Sequence, residues 1–225
     1  MIKNKELIEI YKLTNKDNLE SLNITSEHWK KINDKSKYEI ENNLINFRKN
    51  EVLSNGLDNA PILYKKLDLL ECLNYFDNDF LRKNLSIKNI GKCNHSENFL
   101  GFYVDYHTLQ LLSFFLDISK SIFPITKPKN ILEFGGGFGG LARMILNNID
   151  AKYILIDLPE CCLLTTYFLK EHFPNKKFFL YSDYKNSQIV ENLDAYDIFI
   201  LPPWCKINEN IKIDLFINTR SMQEM

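Results

Sequence analysis

Glycine is scarce in this chain: there are eight in 225 residues, and five of them fall in the run Gly135-Gly136-Gly137-Phe138-Gly139-Gly140. So uneven a use marks one stretch of backbone that must take positive φ or lie close to a ligand. An excess of either charge is also missing. Lys plus Arg is 28 against 29 for Asp plus Glu, which leaves no basic footprint for nucleic acid or an anionic membrane. No CxxC occurs among Cys72, Cys93, Cys161, Cys162 and Cys205, and their number is odd. They read as reduced, mostly buried thiols of a cytoplasmic protein. No HxH or HExxH spacing points to a metal. Met1-Ile2-Lys3-Asn4-Lys5-Glu6 is not followed by a signal-peptide core. The most apolar stretch, 109–123, is interrupted by Gln110, Ser113, Asp117, Ser119 and Lys120, so no membrane span is expected.

What is present is ample apolar surface, 45% of residues with 16 Phe and 11 Tyr, which excludes global disorder. Residues 1–125 read as a helical segment that shapes a substrate site. Apolar periodicity predicts helices over 1–16, from an N-cap at Ser26 through Phe47 to a stop at Asn55-Gly56, from Pro61 to Phe76, and over 103–123. Residues 84–101 read as a connector. From Lys129 the rhythm becomes strand and helix in alternation. Strands are predicted at 130–134, 153–157, 177–181, 196–201 and 212–218, with helices at 141–147, 161–172 and 187–193. This is the pattern of an α/β, Rossmann-like domain over 129–225 with a mostly parallel sheet of four or five strands. Ligands bind such sheets at the carboxyl ends of the strands, where Glu133, Asp157, Asp183 and Asn218 fall.

Gly135, Gly137 and Gly140 fit the dinucleotide pattern GxGxxG, with Asp157 near the offset of a ribose-binding acid. Glu133 weighs against a dinucleotide, because a carboxylate at the strand tip repels a pyrophosphate on the turn. It favours S-adenosylmethionine, which carries a sulfonium and an ammonium and no phosphate.

The run Ile131-Leu132-Glu133-Phe134-Gly135-Gly136-Gly137-Phe138-Gly139 resembles the first motif of class I S-adenosylmethionine-dependent methyltransferases, ExGxGxG at a strand end. Three further blocks, at 153–160, 199–204 and 216–225, resemble the putative sugar O-methyltransferase family, as do Ser26-Glu27-His28-Trp29 and the stretch 46–50. The resemblance implies that Glu133, Gly135, Gly136, Gly137, Phe138, Gly139, Asp157, Leu158 and Asn218 hold the donor, with Asp157 on the ribose hydroxyls. Asp183 is either the acid beside the adenine or a solvated strand-end carboxylate. The implied reaction is in-line methyl transfer to a hydroxyl of a carbohydrate or nucleotide sugar bound for a surface glycan. Glu224 is the first candidate for general base, His107 and His95 the reserves, and each also has an ordinary structural reading. Trp204 either stacks on a sugar or fills the core.

Two other readings stay open. One is an NAD-type oxidoreductase using GxGxxG. The other is an inactive, truncated methyltransferase, because the family's sheet has seven strands and at most five can be counted here. A C-terminal fragment or a second copy would then complete the sheet.

Overall fold

A computed structural model describes residues 4–21, 39–40, 43–49, 66–85, 90–93, 96–99, 101–219 and 221. It is an α/β structure with a five-stranded, all-parallel sheet. The sheet strands are β3 (Asn130–Phe134), β4 (Lys152–Ile156), β5 (Phe178–Phe179), β6 (Ile198–Leu201) and β7 (Leu215–Ile217). Their order is β5-β6-β4-β3-β7. β4 and β6 are apolar almost throughout because both faces of a parallel sheet are covered. The chain leaves β3 to one side to build β4, β5 and β6, then crosses to the other side for β7. The crevice between β3 and β7 is therefore a topological switch point, and it opens next to the glycine turn.

Seven α-helices are described. They are α1 (Asn4–Ser21), α2 (Lys66–Tyr75), α3 (Asn78–Leu85), α4 (Tyr106–Ser121), α5 (Gly140–Asn148), α6 (Pro159–His172) and α7 (Tyr181–Ser187). Pro159 starts α6 at a position where its missing N–H costs nothing.

Several expectations are corrected. Residues 1–125 are not all helical: β1 (Ser96–Phe99) and β2 (Phe102–Asp105) form an antiparallel hairpin that turns at Gly101, with φ 83°. The helix expected over 103–123 begins instead at Tyr106, because Asp105 in extended backbone accepts the Thr108 N–H and caps it. The third strand shrinks to two residues at the sheet edge, since the chain turns into α7 at Tyr181. The helix expected over 187–193 is not formed; α7 ends at Ser187, where Gln188 takes φ 59°. The expected N-cap at Ser26 and the stop at Asn55-Gly56 lie outside the described residues. Among those described, no helix is long and apolar enough to cross a membrane.

The N-terminal segment and the sheet share one apolar cluster, which runs from Leu7, Phe47 and Leu112 to Ile131, Met144, Tyr153 and Phe168. Within it the Arg48 guanidinium donates to Asp105 at 2.8 Å, and both side chains are buried. Burial alone would raise the Asp105 pKa. The Arg48 charge and two hydrogen bonds from Thr108 outweigh it and hold the carboxyl below its usual range. The stability from this pair is thus present above the unfolded carboxyl value and is lost as pH falls through the lowered one. Replacing Asp105 with Ala leaves the Arg48 guanidinium buried without this carboxylate. We expect a loss of about 3–5 kcal/mol in urea unfolding at pH 7, shrinking towards pH 2.

Candidate functional site

The glycine turn is held from four directions. The Gly135 N–H continues the ladder to Ile156 O at 2.8 Å, and the Gly139 N–H closes the turn on Gly136 O at 3.0 Å. From the end of β4, the Asp157 carboxylate accepts the Gly137 N–H at 2.9 Å and its own neighbour Leu158 N–H at 2.7 Å. From α6, Thr165 Oγ1 donates to Gly137 O at 2.6 Å. From beyond β7, Asn218 Nδ2 donates to Phe134 O at 2.7 Å and Ser221 Oγ to Gly135 O at 2.9 Å.

These contacts explain the glycines. A Cβ on Gly136 would lie 2.8 Å from Glu133 Oε2, and one on Gly135 would collide with Ser221. Above Gly137 nothing lies within 4 Å, so among the described residues this face of the turn is open to a ligand. Phe138 points the other way. Its ring packs on Phe47, Phe168 and His107, with centroids 5.4, 4.9 and 4.8 Å away, and lies 5.2 Å from the Arg48 guanidinium.

Glu133 is 1% exposed and accepts a hydrogen bond from the Tyr153 hydroxyl at 2.8 Å. Burial raises its pKa to about 7; the Tyr153 bond opposes the rise and the Asp157 charge adds to it. Asp157 is pushed up to about 6, again by burial, with the Leu158 and Gly137 N–H groups opposing. Among the described residues neither carboxylate has an ion-pair partner. The first turn of α6 closes the back of the site, where Cys162 Sγ donates to Asp157 O at 3.2 Å. All five cysteines are free thiols, four of them buried.

The structure therefore brings together Glu133, Gly135, Gly136, Gly137, Phe138, Gly139, Asp157, Leu158 and Asn218, with His107 against the flank of the turn. Asp183 stands apart. It lies in the first turn of α7 at the far edge of the sheet, and its Oδ2 accepts the Leu180 N–H at 2.8 Å. β6 separates that edge from β4, a distance of roughly 10 Å at ordinary strand spacing. Trp204 is half-buried and donates Nε1–H to the Tyr181 hydroxyl at 3.2 Å, which serves a packing role. Glu224 and His95 lie outside the described residues. A cavity of about 20 Å³ beneath α1, lined by Leu7, Tyr11, Thr14, Cys162, Thr166 and Tyr181, has room for about one water. Among the described residues, no group of three or more His, Cys, Asp or Glu could hold a metal ion.

Three contributors escaped the sequence reading: Tyr153, Thr165 and Ser221. A tyrosine within an otherwise aliphatic buried strand is a signal that its hydroxyl needs a partner. Naming the partner requires the strand register. No family model, curated protein or solved structure matches this chain.

The two raised carboxyls make a signed prediction. A group whose folded pKa lies above its unfolded value gives stability that is fully present below the unfolded value and lost as pH rises through the folded one. For Glu133 and Asp157 that window runs from about pH 4 to about 7. Glu133→Gln keeps an acceptor for Tyr153 and removes the titration. The variant should melt with the wild type at pH 4 and be more stable at pH 8 by on the order of 2 kcal/mol, read from thermal unfolding at both pH values.

Proposed function

We propose that the chain is an S-adenosylmethionine-dependent O-methyltransferase acting on a sugar hydroxyl, with a Rossmann-like donor domain of the class I methyltransferase type. One observation carries the reading: the glycine turn rests on two carboxylates, Glu133 and Asp157, neither ion-paired among the described residues. Such a site suits a ligand with positive charge. A dinucleotide would bring two phosphates instead, and it would find the Gly137 N–H already taken by Asp157. The donor set fits S-adenosylmethionine: an open face above Gly137, an acidic strand end for ribose hydroxyls, and a crevice between β3 and β7 flanked by Asn218 and Ser221.

The donor supplies an electrophilic methyl group, so the protein's tasks are orientation and removal of one proton. Asp157 orients the donor and steadies the turn in the same act, since its two oxygens also hold Gly137 and Leu158. Asn218 fixes the β7 end of the crevice through Phe134 O. For the acceptor's proton the chain offers His107, packed against Phe138, and Glu224. The sugar specificity, and the place in surface-glycan synthesis, follow from the resemblance of the blocks at 153–160, 199–204 and 216–225.

Calorimetric titration tests the donor. S-adenosylmethionine and S-adenosylhomocysteine should bind and NAD should not; binding of NAD alone overturns the reading in favour of an oxidoreductase. Asp157→Ala, which loses hydrogen bonds to a charged acceptor, should weaken donor binding about 10- to 100-fold.

A second measurement assigns the base. S-adenosylhomocysteine release is followed with free sugars and nucleotide sugars as acceptors, for His107→Gln and Glu224→Gln. The variant that loses turnover about 100-fold or more while keeping donor affinity has lost the base. Unchanged turnover in both removes these two residues from the chemistry.

A further inference from the structure

Tyr153 and Glu133 form a closed pair in the sheet. They lie two register steps apart on one face, because Glu133 stands opposite Leu155 on β4 and Tyr153 opposite Ile131 on β3. The phenol is fully buried and its hydroxyl donates to Glu133 Oε2 at 2.8 Å. At the level of Glu133 both neighbouring strands are apolar, Leu155 on one side and Ile217 on the other. Over it lies Gly136, whose missing side chain lets the turn come down onto the carboxyl.

The charged and titratable groups of the surrounding elements face elsewhere. Arg48 pairs with Asp105, Arg143 of α5 donates to Asn84 O at 2.7 Å, and His107 of α4 packs on Phe138. Among the described residues Asp157 is the one charged group acting on Glu133, and it is of like sign. Burial and the neighbouring Glu133 charge push the phenol pKa far up, so Tyr153 remains a donor across the working range. A buried acid with an apolar surround and one fixed donor is held in place, yet among the described residues it has no cation of its own. That arrangement suits an acid whose counter-charge arrives with a ligand.

We propose that Tyr153 is a positioning residue for the methyl-donor site: it fixes the Glu133 carboxyl beneath Gly136, so that the arriving cationic donor draws off the Glu133 proton to solvent and is balanced by the carboxylate left behind. This inference rests on the donor reading above. The step balances: one O–H bond of the carboxylic acid breaks, its electron pair stays on Glu133, and the proton leaves to water. A hydroxyl donated to the carboxylate favours the anion, so its removal must make the proton harder to lose.

The test titrates S-adenosylmethionine and S-adenosylhomocysteine into wild type, Tyr153→Phe, Glu133→Gln and the double variant from pH 5.5 to 9. Wild-type affinity should fall about tenfold from pH 8 to pH 6. Tyr153→Phe, which keeps the ring, should move that fall to higher pH. It should bind about 3- to 10-fold more weakly at pH 7.5 and match the wild type at pH 9. Glu133→Gln should abolish the fall near neutrality, and adding Tyr153→Phe to it should change nothing further. The Glu133 side-chain carbon shift, followed by NMR without ligand, should show the same upward move in Tyr153→Phe. Calorimetry in buffers of different ionisation heat should find proton release on binding in the wild type and less in Glu133→Gln, a readout that stands even where Tyr153→Phe folds poorly. A merely structural Tyr153 would weaken binding equally at every pH, and that result overturns the inference, as does proton release undiminished in Glu133→Gln. No donor binding by the wild type at any pH overturns the methyltransferase reading, and this inference with it.

Discussion

Everything at the site follows from how close the turn after β3 comes to the side chains around it. Glu133 presses on Gly136 from below and Ser221 on Gly135 from beyond β7, so neither glycine can carry a Cβ without displacing a neighbour. The turn also has to take left-handed backbone, with φ 75° at Gly135 and 84° at Gly139. Among the described residues, the crowding below and beyond leaves the direction above Gly137 unencumbered. The glycines therefore decide where a ligand can lie as much as they permit the turn to form.

The same closeness sets the electrostatics. Glu133 and Asp157 both bind protons more tightly in the folded chain than in water, because burial penalises their anions. At neutral pH that penalty is a cost to the fold. Retaining acids that cost stability is intelligible where a ligand supplies the opposite charge. Asp157 softens its own cost by accepting two backbone N–H groups, and Glu133 by accepting one phenol. Glu133 has fewer donors and deeper burial, and both carboxyls are shifted upward.

What was legible in the sequence was local. Glu133 is the penultimate residue of the apolar run before the glycines and Asp157 closes the next run, so their places at strand ends follow from the chain itself. The glycine turn and helices α5 and α6 follow from composition and periodicity in the same way. The sheet order was not legible. β6 inserts between β4 and β5, and the strand that Asp183 follows becomes a two-residue edge; pairing between strands is a non-local choice that a sequence pattern does not encode. Asp183 accordingly leaves the site and serves the N-terminus of α7. The β1–β2 hairpin was hidden for a different reason: its strands are four residues each, too short for an alternation to stand out, and only Gly101 marks the turn. Tyr153 needed the β3–β4 register before its partner could be named.

Phe138 binds these levels together. It sits between two glycines of positive φ, at 137 and 139, so the placement of its ring restricts the backbone on both sides. That ring meets Phe47, His107 and Phe168 and lies near the Arg48 guanidinium. Aromatic pairs contribute about 0.5–1.5 kcal/mol each beyond burial, whereas one neutral hydrogen bond holding the turn contributes about 1 kcal/mol net. The aromatic anchor is therefore at least the equal of the hydrogen bonds from Thr165 and Ser221. Phe47, Arg48 and His107 belong to the N-terminal segment, and Arg48 is locked in turn by Asp105 at the cap of α4. The segment read from sequence as shaping a substrate site thus also sets the conformation of the glycine turn. A shift of Phe47 or Arg48 would reach the backbone above Glu133 through a single ring.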